Sequence, residues 1–131
     1  MEKLRETALK LYEEIWNQQR IDVIDEIFAE DAIFNVGEEV IKGRQFAKDM
    51  ISSWLKAFPD IHHVVDDVIH ERNKIVARWH AFGTHTAVFM EMEPTGRKFS
   101  YSGINILRFE KDVIKEFWLC SDMMGLLKCL K

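Results

Sequence analysis

Lys74-Ile75-Val76-Ala77-Arg78-Trp79-His80-Ala81-Phe82-Gly83-Thr84-His85-Thr86 is the stretch whose reading decides the fold. Ile75, Ala77, Trp79 and Ala81 alternate with Val76, Arg78, His80 and Phe82, the period of two that a strand imposes by sending successive side chains to opposite faces. Working outward, further strands of this kind are predicted over residues 61–70, 98–109 and 113–122. Turn-forming Glu71-Arg72-Asn73, Pro94-Thr95-Gly96 and Lys111-Asp112 separate them.

The first sixty residues keep a different period. From Leu4, the apolar Ala8, Leu11, Tyr12, Ile15 and Trp16 recur at helical spacing, with Glu6, Lys10, Glu13 and Glu14 on the other side. A second short stripe, Ile21, Ile24, Ile27 and Phe28, follows the polar break Asn17-Gln18-Gln19. Residues 31–35 read as a brief extended piece that Gly37 ends. After Gly43, Phe46, Met50, Trp54, Ala57 and Phe58 return to helical spacing until Pro59, which lacks the backbone donor that a continuing helix needs. Helices followed by a strand meander predict an α+β fold with an antiparallel sheet.

A length of 131 residues fits one domain, 1–131, and 47% hydrophobic with 31% charged residues is globular composition. The 18 basic and 22 acidic residues interleave to a net charge of -4, which argues against a nucleic-acid partner. Cys120 and Cys129 are too few for a disulfide framework and read as reduced thiols. No apolar run reaches signal-peptide or membrane-spanning length, so the expectation is a cytoplasmic protein with no membrane partner. Nine Phe, four Trp and two Tyr suit either a solid core or the walls of a cavity that a curled sheet encloses against its helices.

Several segments resemble the SnoaL-like polyketide cyclases of the NTF2-like superfamily, and they occur in that family's order. They are Ala57-Phe58-Pro59-Asp60, Arg78-Trp79, Gly83-Thr84-His85-Thr86, Pro94-Thr95-Gly96-Arg97, residues 103–109 (Gly-Ile-Asn-Ile-Leu-Arg-Phe), and Trp118 followed by Asp122 and Gly125-Leu126-Leu127. The resemblance implies an NTF2-like cone with N-terminal helices packed on a curved antiparallel sheet around a pocket. It implies a homodimer through the outer sheet face, and intramolecular aldol cyclisation without cofactor or metal. The chain departs from the family pattern at Arg72-Asn73 and Lys111-Asp112, where the family often has glycine in the turns, and at Ala87, where glycine commonly follows Gly-Thr-His-Thr.

Asp122 matches the acidic residue that acts as general acid/base in the cyclases. Surrounded by Trp118, Leu119 and Met123, it would be poorly solvated and suited to moving a proton; standing before Met123-Met124-Gly125, it could instead cap a helix. Trp79 and His85 share a strand face, as do Trp118 and Asp122 if no bulge intervenes, which makes Trp79 and Trp118 candidate pocket walls. If Lys111-Asp112 is a two-residue turn, Phe109 pairs with Ile114, Asn105 lies opposite Trp118, and Tyr101 lies opposite Asp122. Asn105 or Tyr101 could then hydrogen-bond a substrate oxygen, or satisfy buried backbone groups. His85 is either a group that orients a carbonyl or a strand-end histidine bonded to its neighbours. Phe34, Trp54 and Phe89 are further lining candidates by their apolarity.

Adjacent His62 and His63 point to opposite faces, and no trio shows ligand spacing, so no metal site is expected. Arg78 reads as an ion-pair partner of Glu116 or part of a dimer surface, and Cys120 as a small buried hydrophobe. The leading reading is a pocket for a small apolar carbonyl compound, with Asp122 and His85 catalytic and Trp79, Trp118, Asn105 and Tyr101 binding substrate. A non-catalytic binding or dimerisation module is the alternative; an epoxide hydrolase centred on Arg78 is the third.

Overall fold

The computed structural model describes residues 2–131. The first amphipathic stripe forms helix α1 (Glu2–Lys10), which widens into a π-helical turn, Leu11–Trp16. That turn buries Leu11, Tyr12, Ile15 and Trp16. A 3-10 turn (Ile21–Val23) leads into the single-turn α2 (Ile24–Ile27). The third stripe is α3 (Gln45–Ala57), whose last turn closes through Phe58 N–H to Trp54 O just before Pro59.

The short extended piece around Asp31 is longer than its sequence suggests. It is strand β1 (Phe28–Val36), it takes Phe28 out of the helical stripe, and it pairs with β2 (Glu39–Lys42), an edge strand too short and too exposed to alternate visibly. The predicted meander follows as β3 (His62–Glu71), β4 (Lys74–Thr84), β5 (Lys98–Glu110) and β6 (Val113–Ser121), and the chain closes with α4 (Met123–Leu130).

The six strands lie in the order β2-β1-β6-β5-β4-β3. All neighbours run antiparallel except β1 and β6, which are parallel. The sheet is curved and open, with the helices on its inner face. Ile75, Ala77, Trp79 and Ala81 of β4 point into the core beside Phe99, Tyr101, Leu107 and Phe109 of β5, as the period of two requires.

The turn at Lys111-Asp112 has two residues and both have positive φ, 50° and 67°. This is the twist that joins tightly coupled antiparallel strands, held here without the glycine that adopts it most readily. Phe109 pairs with Ile114 as expected, but the register then slips: Arg108 pairs with Glu116, leaving Lys115 as an extra residue. Every later residue of β6 is therefore displaced by one. Asn105 faces Leu119 rather than Trp118, and Ile106 faces Trp118.

Candidate functional site

Between the sheet and the helices lies a cavity of about 70 Å³. Its walls are aromatic: Tyr12 and Trp16 from the π-helical turn, Phe34 from β1, Trp54 from α3, Trp79 from β4, Tyr101 from β5 and Phe117 from β6. Trp54 stacks on Tyr101 at 5.7 Å between centroids, and Trp79 meets Tyr101 edge-on at 5.3 Å. Met50, Trp54, Leu119, Cys120 and Ser121 also line a larger open groove of about 750 Å³, together with Val88, Phe89 and Met90. The cavity thus has an apolar mouth at the end of the cone.

The polar groups of the cavity are few and mostly paired. Asn105 Oδ1 accepts from the Tyr12 hydroxyl at 2.7 Å and from Trp79 Nε1 at 2.8 Å, while Asn105 Nδ2 donates to the Trp118 carbonyl at 3.3 Å. This side chain joins the π-helical turn, β4, β5 and β6, and holds two large aromatic walls at fixed angles. Burial pushes the Tyr12 and Tyr101 phenols well above the ordinary tyrosine range, so both stay neutral donors at any working pH. His63 also lines the cavity, and burial, with a smaller contribution from neighbouring His62, lowers its pKa to about 3.

Of the residues singled out from the sequence, Trp79, Asn105 and Tyr101 meet in this cavity, as do Phe34 and Trp54, with Phe89 at the mouth. Trp118 does not. The extra residue in β6 turns it to the outer face, where Lys74 Nζ sits 6.0 Å from its ring centroid, and Leu119 takes the inward place. The same slip removes Tyr101 from Asp122: Asp122 N–H bonds the Ser102 carbonyl.

Asp122 is exposed, and its Oδ1 accepts from Gly125 N–H at 2.9 Å, making it the N-cap of α4. Together with Trp79, Cys120 and Ser121 it lines a shallow groove outside the cavity rather than the cavity wall. His85 is fully buried, with Nδ1 accepting from Thr95 N–H at 3.3 Å and its ring 5.7 Å from Phe58. That contact pins the 94–97 loop to the strand end and keeps His85 off the cavity lining.

Arg78 lies too far from Glu116 in the sheet to pair with it, since β5 runs between their strands. It approaches Asp66 at 3.9 Å on the outer face, and Glu116 pairs with Arg108 at 3.2 Å. An outward, half-exposed arginine gives the epoxide-hydrolase reading no centre in the cavity. Cys120 is exposed rather than buried, at the rim where cavity and grooves meet.

The SnoaL-like polyketide cyclase family model matches residues 6–130. The chain belongs to this family. Among solved structures, AclR of Streptomyces galilaeus, described as a candidate hydroxylase, superposes with a TM-score of 0.90 at 25% identity over 99% of this chain and 96% of its own. IdmH of Streptomyces antibioticus, a candidate polyketide cyclase, gives 0.83 at 28% identity over 97% of both chains. A SnoaL-like protein of Jannaschia sp. CCS1 shares the fold, with a TM-score of 0.90 at 19% identity over 98% of this chain and 91% of its own. No curated protein sequence matches. No helix among the described residues is long and apolar enough to cross a membrane.

Within this SnoaL-like cone, sequence reasoning missed Tyr12, Trp16 and His63 as cavity residues. Tyr12 and Trp16 were legible only as members of a helical stripe. The signal for His63 was present in the pair His62-His63, since a strand must send one of the two inward.

Proposed function

We propose that this SnoaL-like protein binds a small, largely apolar carbonyl compound in the cone, with Asp122 at the rim as the group that moves a proton. The observation that carries the reading is the aromatic cavity and its apolar mouth, which share Met50, Trp54, Leu119, Cys120 and Ser121. Trp54, Trp79 and Tyr101 offer ring faces and edges to a planar guest, and the neutral Tyr101 hydroxyl can donate to a carbonyl oxygen as enolate charge develops. Aldol chemistry needs a base for the α-proton as well. Asp122 supports that role by position, since its groove shares Trp79, Cys120 and Ser121 with the cavity.

A non-catalytic binding module is the second reading, favoured by the exposure of Asp122 and its cap to Gly125. Two measurements separate them. Quenching of the Trp16, Trp54 and Trp79 fluorescence by a bicyclic aryl ketone such as 1-tetralone reports binding, and its absence would end the pocket reading altogether. Exchange of the α-protons of the bound ketone in D2O, followed by NMR, reports proton transfer. We expect Asp122→Asn, which keeps an N-capping oxygen, to bind the ketone and lose the accelerated exchange; unchanged exchange would leave the binding module.

We propose a homodimer through the outer sheet face. Val64, Phe82 and Ile104, on three adjacent strands, are 36%, 44% and 43% exposed there, interspersed with Arg78, His80 and Ser102.

A further inference from the structure

His63 lines the cavity with a buried ring nitrogen that the described residues leave unpaired. It is 3% exposed and sits among rings, 4.5 Å from Trp16, 5.0 Å from Trp79 and 6.2 Å from Tyr12 between centroids. Its position is set by the backbone, not by the imidazole: Asn17 Oδ1 accepts from His63 N–H at 2.7 Å, and Asn17 Nδ2 donates to the His63 carbonyl at 2.9 Å. The buried Nδ1 has no hydrogen-bond partner among the described residues. The protons of the Tyr12 hydroxyl and Trp79 Nε1 are both given to Asn105 Oδ1, so neither of these groups donates to the imidazole.

A buried polar atom without a partner costs folding free energy that phenylalanine in the same nest would not. The ring stays neutral under working conditions, since burial lowers its pKa to about 3, so it offers one N–H and one lone pair. Among the described residues no Lys, Arg, Asp or Glu lines the cavity, so none of them compensates a charged guest.

Resting on the pocket reading above, we propose that His63 is the residue that reads the ligand, and that the carbonyl compound also carries a neutral aromatic hydroxyl that hydrogen-bonds the imidazole. A hydroxyl both donates and accepts, and so satisfies Nδ1 in either tautomer; a ketone oxygen satisfies only a protonated Nδ1, and a methyl group satisfies neither. The aromatic part follows from the Trp16, Trp79 and Tyr12 rings that enclose His63.

The test uses the full chain with 2-naphthol and 2-methylnaphthalene, which differ only in hydroxyl against methyl. Affinities of both are measured by calorimetry for the wild type and for His63→Phe, which keeps a ring in the nest. The wild type is expected to prefer the naphthol about tenfold, and His63→Phe to lose that preference while still binding the hydrocarbon. In the wild type, the naphthol and not the hydrocarbon should shift the His63 imidazole nitrogen resonances in 15N NMR, a readout that holds even if the variant folds poorly. Equal affinities in the wild type, a preference that survives His63→Phe, or unmoved imidazole signals would overturn the role of His63 and leave the pocket reading intact. Failure of both probes to bind would overturn the two together.

Discussion

Asn105 Oδ1 accepts from two aromatic donors at once, so truncating it strands the Tyr12 hydroxyl and Trp79 Nε1 inside an apolar cavity. Each buried group left unpaired costs about 1–3 kcal/mol, and Asn105→Ala should therefore lower unfolding free energy by about 2–4 kcal/mol in urea denaturation. His63 gives a pH signature at the same scale. Its folded pKa of about 3 lies below its ordinary 6.5, so between these values the unfolded chain binds the proton and the folded chain does not. Stability is thus fully present above pH 6.5 and is lost as pH falls toward 3, with a slope approaching about 1.4 kcal/mol per pH unit. Denaturation midpoints from pH 6 to pH 4 should fall for the wild type and fall less steeply for His63→Phe.

The end of β6 and the start of α4 show how one element sets the role of several residues. The extra residue at Lys115 sends Trp118 out and Leu119 in, and Asp122 then arrives at the first turn of α4 instead of over the cavity. If its structural work is the cap, Asp122→Ala should cost about 1 kcal/mol and Asp122→Asn only a few tenths, measured by thermal unfolding. In β5, Gly103 allows a close approach: a Cβ there would lie 2.3 Å from Trp79 Cζ2. Gly103→Ala must push the indole aside, so we expect a loss of about 1–3 kcal/mol and a changed Trp79 indole N–H resonance in a 1H–15N spectrum, because its bond to Asn105 shifts with the ring.

For the whole molecule, the helix-covered inner face and the solvent-facing outer face have separate consequences. The inner face is covered by helices and holds the cavity, so a ligand there stabilises the folded chain by mass action without changing its association. The outer face carries the proposed dimer. Light scattering should give twice the 15.5 kDa chain mass for the wild type and the single mass for the double variant Phe82→Glu, Ile104→Glu. Because both side chains leave the sheet on the solvent side, the variant should keep the far-ultraviolet circular dichroism of the parent. A single mass in the wild type would remove the dimer proposal.

The sequence by itself determined the α+β class, the four strands of the meander and their hairpin turns, and the inward faces of β4 and β5. These follow from periods and turn chemistry that act within a few residues. Ordered family segments pointed to the SnoaL-like cone, and Trp79, Asn105 and Tyr101 reached the cavity because their strands keep strict alternation. Tertiary structure decided the rest. A single extra residue in β6 reversed the facing of Trp118, and no local pattern marks it, because the cost of a bulge is repaid only by the pairing of β6 with both β5 and β1. Strand β2 and the full length of β1 exist because they find partners across the sheet, not because their residues alternate. His63 became a cavity residue for the same kind of reason: local geometry says that one of two adjacent histidines turns inward, but only the packing of the π-helical turn against β3 and β4 encloses it among aromatic rings.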